Sequence, residues 1–524
     1  MAPGCRKTIE AIGAGFVLTL ILARASNGFG LTWDETIYFL FSDTIRDWFL
    51  NHRFFDRSSL AVYWGYSTYH NPHPPFMKVL NALVSPLFVD RLPFPTSYRM
   101  ANILYVSGCL ALSWRLLRAS FSFIMALAAL GFVCLQPRLF GHLMIAATDS
   151  PVAMSWLALT LIAWRLVRTP VPAHRPVLRF CLFAILAMAG ATKITGFMVV
   201  APLAVYFLSQ RNFRECGWLA LAALFALAFV PLISPHLWSH PLTAVSDYLF
   251  HPLRRSQEAI STFYLGRIYK FYLPWHYFFV MTAVTFPVIL LVLLSGLIHI
   301  RKIAHDGLLP AVAIPLGFWL IIAHLPATPK HDGIRQLLSL YPFLGLLSFL
   351  GLAGWQWRLR EMSGGKSDRL LQTGLVPVIL MLLAAGVIRC HPFELSFYNP
   401  LIGGIRGAEK RGFEMSYYLE AVHPDFIRTI DPYLVDGARV YMVPPWPQLL
   451  YRYKKHGLLT GDFTVVESRT GPRPDYLLIM RRRGYVNDAL YTKITPRLEV
   501  TWDGVSLVKF CELDPVNFRS GNGT

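Results

Sequence analysis

Apolar residues fall into long unbroken runs up to about residue 389 and into short alternating runs beyond it. A helix that crosses a bilayer needs roughly 20 apolar residues. Eleven stretches are candidates, near 9–26, 98–116, 119–136, 149–167, 177–191, 194–210, 216–235, 277–300, 308–326, 336–357 and 371–389. Arg6 and Lys7 precede the first, and Ala23-Arg24-Ala25 near its end resembles a signal-peptide cleavage site. An uncleaved anchor is expected, because further spans follow and the adjoining loop needs tethering.

Basic residues set the sidedness. With the N-terminus inside, the inside segments hold Arg6/Lys7, Arg115/Arg118, Arg165/Arg168/Arg175/Arg179, Arg211/Arg214, Arg301/Lys302 and Arg358/Arg360/Lys366/Arg369. Every short inside loop is then basic, as the cytoplasmic bias of Lys and Arg requires. The run 177–210 carries basic residues at both ends, so it should enter and return near Thr192-Lys193. An odd count leaves residues 390–524 outside.

Two outside regions stand out, about 27–97 and 236–276. In the first, Ile37, Phe41, Ile45, Trp48 and Phe49 recur at helical spacing, which predicts an amphipathic helix lying on the membrane surface. Phe76 to Phe88 is apolar but too short to span, and reads as a second interfacial helix. Region 236–276 reads as a loop. Past residue 389, β-like runs at Arg439–Val443, Phe463–Glu467, Tyr476–Met480, Leu498–Trp502 and Val505–Phe510 alternate with helical stretches. Asp503-Gly504 joins the last two in a hairpin signal. The expected architecture is an all-α polytopic membrane domain over 1–389 followed by a small extracytoplasmic α/β domain over 390–524.

Composition sharpens this. Of 524 residues 54% are apolar and 15% charged, against roughly 45–50% and about 25% in soluble proteins. That excludes a soluble enzyme, a disordered chain and a disulfide scaffold. The net charge of +19 divides into 32 Lys/Arg against 15 Asp/Glu before residue 390 and 17 against 15 after it. The excess therefore belongs to the inside loops, and no basic tail or aromatic-spaced stripe argues for nucleic acid. Seven cysteines show no C-x-x-C spacing; Cys390 and Cys511, both in the outer part, are the expected disulfide if one exists.

Five local signals could carry chemistry. Asp34-Glu35 sits in Trp33-Asp34-Glu35-Thr36-Ile37-Tyr38, although acidic residues also suit a helix N-terminus. His70-Asn71-Pro72-His73-Pro74-Pro75-Phe76-Met77-Lys78 suits a Pro-rich helix start equally. Asp149 opens a span, where it would also serve as a cap. Lys193 interrupts an apolar stretch, where an ionisable residue points to a site unless it snorkels to the surface. Lys330, His331, Asp332 and Arg335 precede the tenth span. The deduced topology puts all five on one outer face, a mixture of carboxylates and cations beside lipid. Carboxylates supply a base and cations neutralise phosphate.

These residues carry a resemblance. Asp34-Glu35, then His73-Pro74-Pro75-Phe76-Met77-Lys78, Asp149, and Thr192-Lys193-Ile194-Thr195-Gly196 occur in the order of motifs in integral-membrane glycosyltransferases of GT-C fold. The families resembled are the protein O-mannosyltransferases of glycosyltransferase family 39 and the bacterial lipid A aminoarabinose transferases. The similarity covers about residues 9–357, and His391–Asn399 with Gly403-Gly404 also looks like the bacterial relatives. The resemblance implies a polyprenyl-phosphate sugar as donor, transfer to an acceptor hydroxyl with inversion, and a bacterial inner membrane as location. It implies Asp34 as base with Glu35 beside it, and Lys78, Arg99, Lys193 and Arg335 around the phosphate. His73 stands where the aminoarabinose transferases have Lys, and Asp149 matches an acidic residue of the second outer loop.

There are departures from both families. Region 236–276 is too short for the luminal β-trefoil of the eukaryotic O-mannosyltransferases, and eleven spans fall below the count of the aminoarabinose transferases, so the acceptor (glycan, lipid or protein) stays open. Metal dependence stays open: no His-rich cluster marks a metal site, though Asp34, Glu35 and Asp149 could share a divalent ion. Two other classes compete. A lipid or glycan flippase would spread ionisable residues through the depth of its spans, and a membrane scaffold would use the outer domain to hold a partner.

Overall fold

The computed structural model describes residues 3–51, 57–64, 73–169, 174–238, 242, 245–246, 248–250, 260–270, 272–299, 307–325, 328, 330–363, 374–467 and 472–513. His70–Pro72 and the inside-loop residues Arg301, Lys302, Lys366 and Arg369 lie outside them.

Each of the eleven predicted apolar stretches holds helix among the described residues, but five helices, or up to seven if each bent pair counts as one span, are long and apolar enough to cross a bilayer, fewer than the eleven expected. The chain opens with α1 (Pro3–Ser26), α2 (Trp33–Leu50), α3 (Arg57–Trp64), α4 (Phe76–Val84) and α5 (Thr96–Leu117). It continues through α6 (Phe123–Cys134), α7 (Pro137–Met144), α8 (Asp149–Arg168), α9 (Arg175–Gly190), α10 (Ile194–Phe197), α11 (Val200–Ser209) and α12 (Phe213–Leu232). Then come α13 (Tyr277–Thr285), α14 (Val288–Leu294), α15 (Leu308–His324), α16 (Tyr341–Ser363) and α17 (Val376–Cys390). α8 is the hub, 89% buried over its apolar window and packed against α5, α9, α11 and α15, whereas α1 is 11% buried and runs along the outside of the bundle.

Two of the expected spans are broken. The stretch expected at 119–136 ends at Cys134, and the chain bends by 79° into α7; that at 277–300 bends by 113° between α13 and α14. Pro137 and Pro287 stand at the breaks, and proline has no N–H to continue a helix. The carbonyls exposed at the second break find partners in the His391–Asn399 stretch, since Asn399 Nδ2 donates to Ala283 O (2.6 Å) and Phe286 O (2.8 Å). This gives that stretch a structural task the sequence did not disclose.

α2 starts at a capping box: Thr32 Oγ1 accepts from Glu35 N (3.4 Å) while the Glu35 carboxylate accepts from Thr32 N (3.0 Å). Its buried face is not the expected stripe. Ile45 and Trp48 are buried as predicted, but Glu35, Thr36, Tyr38, Phe39 and Ser42 are buried too, while Ile37, Phe41 and Phe49 are half-buried. Several neighbours cover α2: Glu35 lies against Arg99, Phe39 packs on Phe94 and Tyr98, Tyr38 and Ser42 face Lys78, and the C-terminal region takes Thr36 and Asp43. Trp446 Nε1 donates to Thr36 Oγ1 (2.9 Å), Arg452 to Asp43 Oδ2 (3.0 Å) and Lys455 to Asp43 Oδ2 (2.7 Å).

That region carries a five-stranded sheet of order β4-β3-β5-β7-β6. The strands are β3 (Arg439–Val443), β4 (Thr464–Val466), β5 (Tyr476–Met480), β6 (Leu498–Trp502) and β7 (Val505–Glu512), close to the sequence expectation. β3 pairs in parallel with β4 and β5, and β7 runs antiparallel to β5 and β6. Asp503 (φ 48°) and Gly504 (φ 75°) turn the last hairpin, both left-handed as a two-residue turn of this class requires. Region 236–276, expected as loop, includes a short hairpin of β1 (Thr262–Tyr264) and β2 (Arg267–Tyr269).

The expected disulfide is absent: Cys390 and Cys511 are buried free thiols. Cys390 ends α17 with its thiol on Val387 O (3.3 Å), and Cys511 lies opposite Leu477 within the sheet.

Candidate functional site

One guanidinium gathers three distant chain segments. Arg335, just before α16, donates from Nη2 to Asp34 Oδ2, from Nε to Asp149 Oδ2 (2.8 Å) and from Nη1 to Asp332 Oδ2 (2.9 Å). Lys193, in the turn between α9 and α10, donates to the other oxygen of Asp149 (2.6 Å). Arg482, from the segment after β5, donates to Asp332 Oδ1 (2.8 Å) and lies over the Trp33 ring at 4.3 Å. Three carboxylates thus face three basic side chains, a balanced cluster drawn from segments as far apart in sequence as Asp34 and Arg482. The Tyr418 ring closes it, 4.2 Å from the Arg335 guanidinium.

Local backbone explains the aim of these groups. Asp332 (φ 56°) and Gly333 (φ 66°) are both left-handed; Asp tolerates that region better than most residues, and the turn turns its carboxylate inward. Burial opposes the charge on Asp332, but Arg482, His331 and Arg335 outweigh it and hold the carboxyl well below its ordinary range. Asp34 differs from the other acids in access. Its side chain is 23% exposed, against 7% for Asp149, 2% for Asp332 and 0% for Glu35.

Glu35 and Arg99 belong to a separate, sealed arrangement. Arg99 donates to Glu35 through Nε (2.7 Å) and Nη2 (2.8 Å), and its other N–H groups go to the carbonyls of Ser26, Phe29 and Gly30. All five guanidinium N–H groups are spent, so none is left for the phosphate contact expected of Arg99. The adjacent acids therefore divide: Glu35 caps α2 and anchors Arg99, while Asp34 faces Arg335.

Lys78 is buried on α4, with Nζ donating to His73 O (2.8 Å) and lying 5.4 Å from the Tyr38 ring centre. His73 thus holds Lys78 through its backbone. Burial pushes the Lys78 ammonium down to about 7, with the charge of Asp34 opposing the shift. Lys78 lines a narrow open cleft together with Tyr38, Ser42, Asn81, Asn102 and Thr148. A second narrow cleft lies beside Arg335 and Asp332, lined by Arg138, His142 and Tyr417.

Among the described residues no group of three His, Cys, Asp or Glu side chains is placed to hold a metal ion. Of the acids considered for a divalent ion, Asp34 and Asp149 meet at Arg335, and Glu35 points to Arg99. Sequence reasoning noticed Asp332 only as part of a charged stretch and missed Arg482 and Tyr418; the run Arg481-Arg482-Arg483 directly after a strand was the available signal.

The helical bundle with this site at one end and a small sheet over it is the GT-C membrane fold. ArnT from Cupriavidus metallidurans in the apo state matches 95% of this chain and 97% of its own, with a TM-score of 0.51 at 16% sequence identity. The same enzyme bound to undecaprenyl phosphate matches over the same shares with a TM-score of 0.50 at 15% identity. The apo oligosaccharyltransferase of Archaeoglobus fulgidus covers 88% of this chain and 64% of its own, at a TM-score of 0.45 and 12% identity. No family model matches the sequence, and no curated protein matches it.

Proposed function

We propose that this protein is an integral-membrane glycosyltransferase that moves a sugar from a polyprenyl-phosphate donor to an acceptor hydroxyl. The observation that carries the reading is the accessible Asp34 carboxylate set against Arg335, with Lys193 and Lys78 close by. The GT-C fold and the undecaprenyl phosphate bound by its structural neighbour support the lipid half of the donor.

In the reaction, the acceptor oxygen attacks the anomeric carbon from the face opposite the phosphate. Asp34 takes the hydroxyl proton as the new C–O bond forms. The bond from the anomeric carbon to the phosphate oxygen breaks, its electron pair stays on that oxygen, and the configuration inverts. Charge grows on the departing phosphate, and Lys78, Lys193 and Arg335 are preorganised cations that stabilise it. Asp149 holds Lys193 and Arg335 side by side, and Glu35 and Arg99 fix the start of α2. The site opens outside the cytoplasm in this reading, with the N-terminus inside and the sheet of residues 439–512 over the cluster. The acceptor is a hydroxyl of a glycan, lipid or protein.

The test uses the purified full chain in proteoliposomes with a mixture of undecaprenyl phosphates carrying labelled glucose, mannose, galactose or arabinose, plus a membrane extract as acceptor. Release of undecaprenyl phosphate with transfer of label from at least one donor is expected. No release from any donor, above protein-free vesicles, refutes the reading.

A further inference from the structure

α5 and α8 run side by side in the same direction with a fixed register. Asn102 Nδ2 donates to Ser150 Oγ (3.5 Å), and the hydroxyls of Tyr105 and Ser155 meet at 2.8 Å, so facing residues are 48 to 50 apart in sequence. Carried to the far ends of the two helices, a separation of 50 sets Arg115 level with Arg165. Arg165 is 16 residues beyond Asp149 on α8, about 24 Å along the axis. The two arginines therefore stand at the opposite end of the bundle from the Arg335 cluster.

Like charges set level with each other are disfavoured unless an anion joins them. Each guanidinium lies within repelling range of the other. Arg115 Nε donates to Thr8 Oγ1 of α1 (3.3 Å), and Arg165 Nη1 donates to Ser120 Oγ in the turn after α5 (3.0 Å). Both acceptors are neutral hydroxyls. Glu10 is engaged elsewhere, by Arg118 (2.8 Å) and Arg6 (3.2 Å). Among the described residues neither Arg115 nor Arg165 has a carboxylate partner, and both are half-buried with N–H donors to spare.

α1, α5 and α8 are each long and apolar enough to cross a bilayer, so their ends lie at headgroup depth. By the sidedness of the basic loops this end is the inner one. A guanidinium offers paired N–H groups that match two oxygens of a phosphate, and basic sites between spanning helices at the inner surface suit acidic headgroups. We infer that Arg115 and Arg165 clamp the phosphate of an anionic phospholipid of the inner leaflet, with Thr8 and Ser120 holding the two guanidinium groups in place. Such a lipid ties α1 to the ends of α5 and α8. It is distinct from the sugar donor, whose phosphate-facing cations stand at the other end.

The delipidated full chain in maltoside detergent is titrated with dioleoylphosphatidylglycerol, dioleoylphosphatidylcholine and glycerol 3-phosphate, and bound lipid is counted by native mass spectrometry. Wild type is compared with Arg115→Gln, with Arg165→Gln and with Arg214→Gln, which removes an exposed arginine of another basic loop. Wild type should hold one phosphatidylglycerol about tenfold more tightly than phosphatidylcholine, and Arg115→Gln and Arg165→Gln should each lose about that factor. Arg214→Gln should bind as wild type does. Melting gives a second readout. Without lipid, Arg115→Gln and Arg165→Gln should melt no lower than wild type, because a repulsion is removed; added phosphatidylglycerol should raise the wild-type melting temperature more than theirs. Phosphatidylglycerol held equally by Arg115→Gln and Arg165→Gln, an equal loss in Arg214→Gln, or phosphatidylcholine held as tightly would each overturn the clamp. So would displacement of the lipid by glycerol 3-phosphate at matched concentration, or a lipid-free Arg115→Gln or Arg165→Gln protein that melts below wild type.

Discussion

Replacing Glu35 by Gln separates the structural acid of the pair from the chemical one. The Glu35 carboxylate accepts from Arg99 Nε (2.7 Å) and Nη2 (2.8 Å), Thr32 N (3.0 Å) and Oγ1 (3.1 Å), and Ala146 N (2.9 Å). Gln keeps the shape but removes the charge and turns one acceptor into a donor among donors. Arg99, 0% exposed, is left as a buried cation without the carboxylate it is paired with. Removing one partner of a buried ion pair costs about 3–5 kcal/mol. Scaled to a chain of this length, that is a fall in melting temperature of roughly 3–8 °C. Arg99→Met should cost a similar amount. The double variant removes both charges and should lose less than the two singles together, with a coupling of about 1–3 kcal/mol. Asp34→Asn is the control, because Asp34 is partly exposed and Arg335 retains Asp149 and Asp332; its cost should stay under about 1 kcal/mol. Melting of the detergent-purified protein, followed by the fluorescence of its 14 tryptophans, measures all four. A Glu35→Gln protein that melts with wild type, or single losses that simply add, would refute this division of labour.

Three further outcomes follow from named contacts. Lys78 loses its proton as pH rises through about 7, so kcat/KM for the donor should be flat below that pH and fall about tenfold per unit above it; Lys78→Arg should remove this alkaline limb, and a limb unchanged in Lys78→Arg assigns it elsewhere. Arg482→Met strips one of the cations from buried Asp332, which keeps Arg335, and should lower thermal stability by about 1.5–3 kcal/mol; a protein as stable as wild type would show that the contact is not held in solution. A Cβ at Gly351 would collide with the Leu293 carbonyl where α14 crosses α16, so Gly351→Val should sharply reduce the yield of folded, detergent-extracted protein, whereas Gly386→Ala, where nothing lies within 4 Å, should not.

Much of the architecture is legible in the chain because its signals are local. Apolar runs, the alternating strands and Asp503-Gly504 each act through near neighbours: the runs form helices, and the other two form the strands and the turn they predict. What escapes is set by contacts between distant segments. Nothing local to Arg335 shows that it gathers Asp34 from 301 residues away. Arg482 sits in an arginine run of the kind that usually faces solvent, yet here it is buried between Asp332 and Trp33. The buried face of α2 departs from its apolar stripe because Arg99 takes Glu35, Ser42 faces Lys78, and Trp446, Arg452 and Lys455 take Thr36 and Asp43. Arg99 has the appearance of an outer-loop phosphate ligand until its five N–H groups are accounted for within the fold.

The most direct measurement compares turnover with donor binding in Asp34→Asn. The substitution preserves the side-chain shape beside Arg335 and removes the carboxylate proposed to take the acceptor proton. Using the donor that wild type turns over in proteoliposomes, the rate should fall by roughly 10²–10⁴-fold, while the affinity for that donor stays within about threefold of wild type. Near-normal turnover in Asp34→Asn would contradict the assignment of the base, and with it the mechanism built on this site.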